Sequence, residues 1–237
     1  SFTETIDTVV SAKPNRLAVY NYAHLPHIFR AQRMIDAKDI PTPETKLKLM
    51  ELTINKLIDS GYVYIGMDHF ALPDDELTIA QREGGLQRNF QGYSTRRECD
   101  LVGLGVSSIG KVSDCYAQNI KDIQDWQTTV ESGQLPIWRG VRLNTEDRMR
   151  RRVIESIMCH GEVDFETIES LFAIDFHEHF ARELQSLEQM EEDGLLKMGG
   201  DSFTVEPPGR LLLRNIAMVF DEYLQKAEET PRFSRVI

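Results

Sequence analysis

The chain has 237 residues, 41% hydrophobic and 27% charged, the composition of a folded protein with one large domain or two modest ones. With 38 acidic against 27 basic residues its formal charge is −11, which argues against nucleic acid or an anionic membrane surface as a partner. A few local arginines could still hold an anionic small molecule. No apolar run approaches the roughly eighteen residues of a membrane span, so none is expected. Cys99, Cys115 and Cys159 are widely spaced, with no CxxC, which suggests a reducing compartment and buried thiols; a cytoplasmic location is expected.

The first element expected is a helix from Phe2 to Ala12, ending before Pro14. Arg16-Leu17-Ala18-Val19-Tyr20 and Tyr62-Val63-Tyr64-Ile65 read as buried strands. Between them Thr42-Pro43 opens a helix whose stripe Leu47, Met50, Ile54, Leu57 and Ile58 runs to Gly61. Strand, helix and strand make a βαβ unit with parallel strands and a right-handed crossover. Two such strands cannot cover both faces, and the first residue is not Met. The missing strands are therefore expected upstream of Ser1, in a longer protein.

A short polar helix is expected over residues 74–83, then a Gly84-Gly85 break. Residues 86–118 read as strands punctuated by glycine, with 101–110 as an apolar spine where glycines admit close approach of backbone or ligand. Beyond Asn144 the pattern is helical: 145–159, a short helix carrying Phe165, Ile168 and Phe172, and a longer one carrying Phe176, Phe180, Leu184 and Leu187. A hairpin follows over 195–205, and Pro207-Pro208 introduces a last helix with Leu212, Ile216, Val219 and Tyr223. Three helices and a hairpin outline a winged helix. The would-be recognition helix, 176–193, carries six acidic residues and Arg182 alone, so an accessory packing domain is the better reading.

Asn21-Tyr22-Ala23-His24-Leu25-Pro26 and Ile65-Gly66-Met67-Asp68-His69-Phe70 each follow a strand, where parallel-strand folds place their chemistry. His24 and His27, with Asp68 and His69 nearby, suit either a metal or a polar ligand; Asp68 and His69 are candidates for proton transfer. Arg82, Arg88, Arg96 and Arg97 surround Phe90-Gln91-Gly92-Tyr93, a grouping that suits a planar ligand with several carboxylates or an ordinary solvated surface.

Residues 20–26, 65–76, 88–93 and 104–109, with Leu211-Leu212-Leu213-Arg214-Asn215-Ile216 and the terminal Phe233-Ser234-Arg235-Val236-Ile237, resemble the oxygen-independent coproporphyrinogen III oxidases. That family consists of radical S-adenosylmethionine (SAM) enzymes with an open, partial (β/α) barrel and a helical C-terminal domain. The resemblance implies an α/β part plus a mainly α part. Residues 1–92 would be the last strands and helices of the barrel, and 93–237 a winged-helix-like domain. It also implies SAM and a 4Fe-4S cluster as cofactors and coproporphyrinogen III as the substrate, with two propionates decarboxylated to vinyl groups. A monomer is expected. Ala23, Ile109, Gln91 and Phe90 would lie against SAM, Tyr22 and Arg88 against substrate, and His24, Asp68 and His69 would line the cavity. The family's CxxxCxxC and glycine-rich SAM motif are absent, so no metal ligand is expected in this chain and the chain alone should be inactive. The alternative is a haem- or porphyrin-binding relative without decarboxylase activity.

Overall fold

The structure, a computed structural model, describes residues 1–97 and 99–226. Helix α1 (Phe2–Ala12) opens with a capping box, in which the Ser1 hydroxyl accepts from the Glu4 amide and the Glu4 carboxylate reaches back to Ser1. Strand β1 (Arg16–Ala18) leads into a long loop holding two 3-10 turns, Arg30–Met34 and Ala37–Asp39. Helix α2 (Pro43–Asp59) starts where Thr42 caps it and Pro43 occupies its first turn. Ile6, Leu57, Tyr62 and Phe70 form the core beneath α1 and α2.

The parallel pairing expected of the first two strands is not what forms. Strand β2 (Val63–Gly66) turns straight back into β3 (His69–Ala71), and the sheet order is β1-β3-β2 with both pairings antiparallel. The two outer strands thus run the same way but are separated by one the sequence reading took for a loop. Gly66 at φ 152 and Met67 at φ 52 make the turn; the first favours glycine and the second is a left-handed residue. The first strand is also not buried: Leu17 is half-covered, and Tyr20, beyond the strand's end, is 77% exposed.

Helix α3 (Glu76–Arg82) is the short helix expected, capped by Asp75. A hairpin of β4 (Gln87–Asn89) and β5 (Gly92–Ser94) follows, then a three-stranded sheet of β6 (Ile109–Val112), β7 (Cys115–Asn119) and β8 (Ile137–Arg142). Helix α4 (Ile123–Glu131) and β8 were not expected from the sequence, and neither buries a residue. Most of the apolar spine, residues 102–108, is instead a loop, with Val102 and Leu104 exposed. Its glycines do allow close backbone approach. A Cβ on Gly103 would lie 2.9 Å from the Ile109 carbonyl carbon, and one on Gly110 would lie 2.9 Å from the Leu101 oxygen.

The last part is built on α5 (Thr145–His160), which buries Met149, Val153, Ile157 and Met158. Around it lie β9 (Glu162–Asp164), α6 (Phe165–Phe172), α7 (Phe176–His179) and α8 (Ala181–Glu192). The helix expected over 176–193 breaks at Phe180, whose φ of −103 and ψ of 25 lie outside helical geometry. The hairpin β10 (Leu196–Met198) and β11 (Ser202–Val205) gains β9 as a third strand. After it the single expected helix is a 3-10 turn, Gly209–Leu212, then α9 (Leu213–Met218) and α10 (Glu222–Lys226). Phe176, Phe180, Phe203 and Phe220 are fully buried at the centre of this core. The two parts meet where Cys159 of α5 packs with Ile65, Leu86 and Tyr93.

Candidate functional site

The β2–β3 turn organises the candidate site. Asp68 and His69 bond through Oδ1 and Nδ1 at 2.6 Å, while the Asp68 carbonyl accepts from the Val19 amide at 2.7 Å. The imidazole meets the Tyr93 ring edge-on at 5.2 Å and covers Gly92, where a Cβ would lie 2.9 Å from Nε2. Tyr93 in turn donates its hydroxyl to the Met158 carbonyl at 2.8 Å. A Cβ on Gly66 would lie 2.4 Å from that hydroxyl oxygen, so β2 is in close contact with it. Burial raises the Tyr93 pKa, and it pushes Tyr64 up to about 12, Asp68 adding to the Tyr64 shift and Arg210 opposing it.

Burial alone would raise the Asp68 pKa, but the hydrogen bond and charge of His69 outweigh it and hold the carboxyl below its ordinary value. A depressed folded pKa stabilises the protein above the unfolded value and loses that contribution as pH falls through the folded one. Asp68→Asn is therefore expected to flatten the fall in stability below about pH 4. Chemical denaturation at stepped pH checks it; an unaltered acid limb would show that Asp68 is not the group involved.

Two cavities hold residues of the expected site. One, of about 330 Å³, is lined by the loop after β1, by Met67 and Asp68, by Lys46 on α2, by Arg210 of the 3-10 turn and by Arg214 at the start of α9. Ala23 lies in it. The other, of about 560 Å³, lies between the β4–β5 hairpin, the β6–β7 sheet and α5, and contains Arg88, Phe90 and Gln91. Gln87 Oε1, Arg88 Nε and Arg151 Nε are buried there without a hydrogen-bond partner, a costly state that a polar ligand or water would relieve.

The structure thus brings together only some of the residues expected to act together. Ala23 and Asp68 share the first cavity; Arg88, Phe90, Gln91 and Arg96 share the second. Ile109 lines neither, and pairs with Gln118 in the sheet. His24 turns back on its own loop, its Nε2 lying 3.2 Å from the Gln32 carbonyl, with Tyr22 stacked on it at 6.3 Å. His24, His27, Asp68 and His69 do not converge, and no group of three metal-ligating side chains occurs among the described residues. Arg82 departs from the arginine cluster, donating to the Pro73 carbonyl at 3.1 Å. Arg88 is within it, 5.7 Å over the Tyr93 ring.

Lys46, Arg210, Gln87 and Arg151 were not read from the sequence as site residues, and Arg214 was noted only within a matching string. Gln32 was missed too, although it pins the loop by donating to the Ala23 carbonyl at 3.1 Å. Among the described residues no helix is long and apolar enough to cross a membrane.

This arrangement, with a helical unit packed against short strands that carry the candidate loops, defines a class: residues 143–212 match the HemN C-terminal domain. The chain is 52% identical over its whole length to the oxygen-independent coproporphyrinogen III oxidase of Pseudomonas aeruginosa, of which it covers 51%. It is 44% identical to that of Thermostichus vulcanus, over 95% of this chain and 70% of the relative. The solved structure described as coproporphyrinogen III oxidase (HemN) from Escherichia coli, a radical SAM enzyme, superposes with a TM-score of 0.90 at 47% identity. That match covers 94% of this chain and 51% of the other. The chain belongs to the oxygen-independent coproporphyrinogen III oxidase family. It spans about half the length of the Pseudomonas and Escherichia relatives.

Proposed function

We propose that this chain supplies the C-terminal half of an oxygen-independent coproporphyrinogen III oxidase, acting in porphyrin and haem biosynthesis. Full-length similarity to enzymes of that name carries the reading. In it, residues 1–92 are the closing strands and helices of a partial (β/α) barrel, and 93–237 a helical, winged-helix-like unit. The β9–β10–β11 sheet beside α5, α6 and α8 supports that description of the second unit.

In the complete enzyme, SAM and a 4Fe-4S cluster would supply the radical chemistry for oxidative decarboxylation of the propionate side chains to vinyl groups. The cysteines here do not fit the cluster. Cys99 and Cys115 are exposed and apart from buried Cys159, whose thiol burial pushes up to about 12. The residues proposed to meet SAM do suit an apolar, aromatic ligand edge: Phe90 is 57% exposed with its ring 5.3 Å from Tyr116, and Ile109 is half-buried. Gln91, beside Phe90, and Ala23, in the other cavity, are proposed to meet SAM as well. Tyr22 and Arg88 are proposed to face substrate, with Asp68 lining the smaller cavity, His69 bonded to it and His24 held on its own loop.

The test is anaerobic turnover of coproporphyrinogen III by the complete enzyme carrying this chain, with two carbon dioxide molecules and protoporphyrinogen IX as expected products. Ile109→Asp should weaken SAM binding by forcing an unpaired carboxylate against apolar surface. Arg88→Ala should raise the KM for substrate about 10- to 150-fold if the guanidinium meets a propionate. Wild-type enzyme that binds SAM and releases no carbon dioxide from the substrate would defeat the reading.

A further inference from the structure

Lys46, Arg210 and Arg214 converge on the smaller cavity from two parts of the chain. Lys46 comes from the first turn of α2, Arg210 from the 3-10 turn after β11, and Arg214 from α9. Among the described residues none of the three side chains has an ion-pair partner. Many other cations of the described residues also lack a carboxylate; what sets these three apart is that they line one cavity together in a chain of charge −11. The one acid in the cavity, Asp68, already holds His69. The rest of the lining is largely apolar and includes Leu47, Met50, Met67, Leu211 and Leu213.

An apolar lining shared with three unpaired cations suits an apolar ring bearing carboxylate arms. Unpaired positive charge also offsets, at close range, the repulsion between an acidic protein and a polyanion. We propose that Lys46, Arg210 and Arg214 form a carboxylate clamp for propionate arms of the tetrapyrrole substrate, so that the C-terminal unit itself takes part in substrate binding. This rests on the coproporphyrinogen oxidase reading and moves the main grip from the arginines beside Phe90 to the cavity shared by Ala23 and Asp68. SAM also carries a carboxylate and belongs, in that reading, near Ala23. Three cations exceed the need of a single zwitterionic amino acid and match a tetra-acid better.

The experiment compares the complete enzyme with its Arg210→Gln/Arg214→Gln and Lys46→Met variants under anaerobic conditions. Lys197→Gln, an exposed site on β10, is the charge-matched control. The KM for coproporphyrinogen III is expected to rise about 10- to 150-fold in the arginine variant, with SAM affinity and substrate-free SAM cleavage unchanged. Lys46→Met, on a separate element, should shift KM the same way, and Arg210→Lys/Arg214→Lys should recover part of the loss. Wild-type enzyme without turnover would defeat the oxidase reading itself. Normal wild-type turnover, with KM in both sets of variants within twofold of the control, would overturn the clamp alone. A loss confined to SAM affinity would likewise overturn it, assigning the cations to the cofactor's carboxylate.

Discussion

Alanine at position 209 is expected to destabilise the protein by about 3 kcal/mol or more, a large effect for the addition of one methyl group. A Cβ there would lie 1.9 Å from the Leu195 carbonyl oxygen, 2.8 Å from its carbon and 2.9 Å from Val205 Cγ1. Two of these neighbours are backbone in a segment tied down at both ends. The Leu195 amide donates to the Met190 carbonyl, and the Leu195 carbonyl accepts from the Glu206 amide. Neither can move aside cheaply, so the 3-10 turn must shift away from the β10–β11 hairpin. That turn carries Arg210, and α9 behind it carries Arg214. The same substitution should therefore weaken substrate binding more than SAM binding. Urea unfolding measures the first effect; a loss below about 1 kcal/mol would show that the turn relaxes freely.

Gly209 illustrates what could be read from the chain and what could not. The helices of the C-terminal half were legible because each buries one stripe: Met149, Val153 and Ile157, or Phe165 and Ile168, sit on the core face as their spacing requires. The hairpin at Gly199-Gly200 was legible from its turn. The need for glycine at 209 was not, because it arises from a carbonyl fourteen residues earlier in the chain.

The same distinction separates the two ends of the site. Asp68 and His69 stood out because they follow a strand-like run, yet the run was assigned the wrong neighbour. A three-residue strand, His69–Ala71, carries too little pattern to be told from a loop, and it alone converts a parallel pair into an antiparallel sheet. Lys46 and Arg214 look like solvated charges on helices whose apolar faces account for the folding. Only the packing of α9 near α2 gives them a common cavity. Sequence spacing reports which face of a helix is buried, and is silent about which distant charges the buried faces bring together.

Removing one partner of the Arg150–Glu183 pair should cost about 3–5 kcal/mol, the largest loss expected here from a single polar side chain. The pair is 2.7 Å apart, with side-chain exposures of 14% for Arg150 and 6% for Glu183. The guanidinium also donates to Glu146 at 2.6 Å and to the Phe220 carbonyl at 3.2 Å, and lies 5.3 Å over the Phe180 ring. It joins α5, α8 and the end of α9 across the aromatic core. Glu183→Ala leaves this cation half-compensated beside Phe180 and Phe220 and opens a cavity as well. Glu183→Gln keeps a hydrogen-bond acceptor but loses the charge, so its cost should be smaller. Arg150→Met combined with Glu183→Leu should be far less damaging than the sum of the two single changes, because no buried charge is left facing a missing partner. Equilibrium unfolding of wild type, Arg150→Met, Glu183→Leu and the double variant closes the cycle. Additive losses would mean that each side chain acts through packing alone, and that the ion pair does not couple the helices.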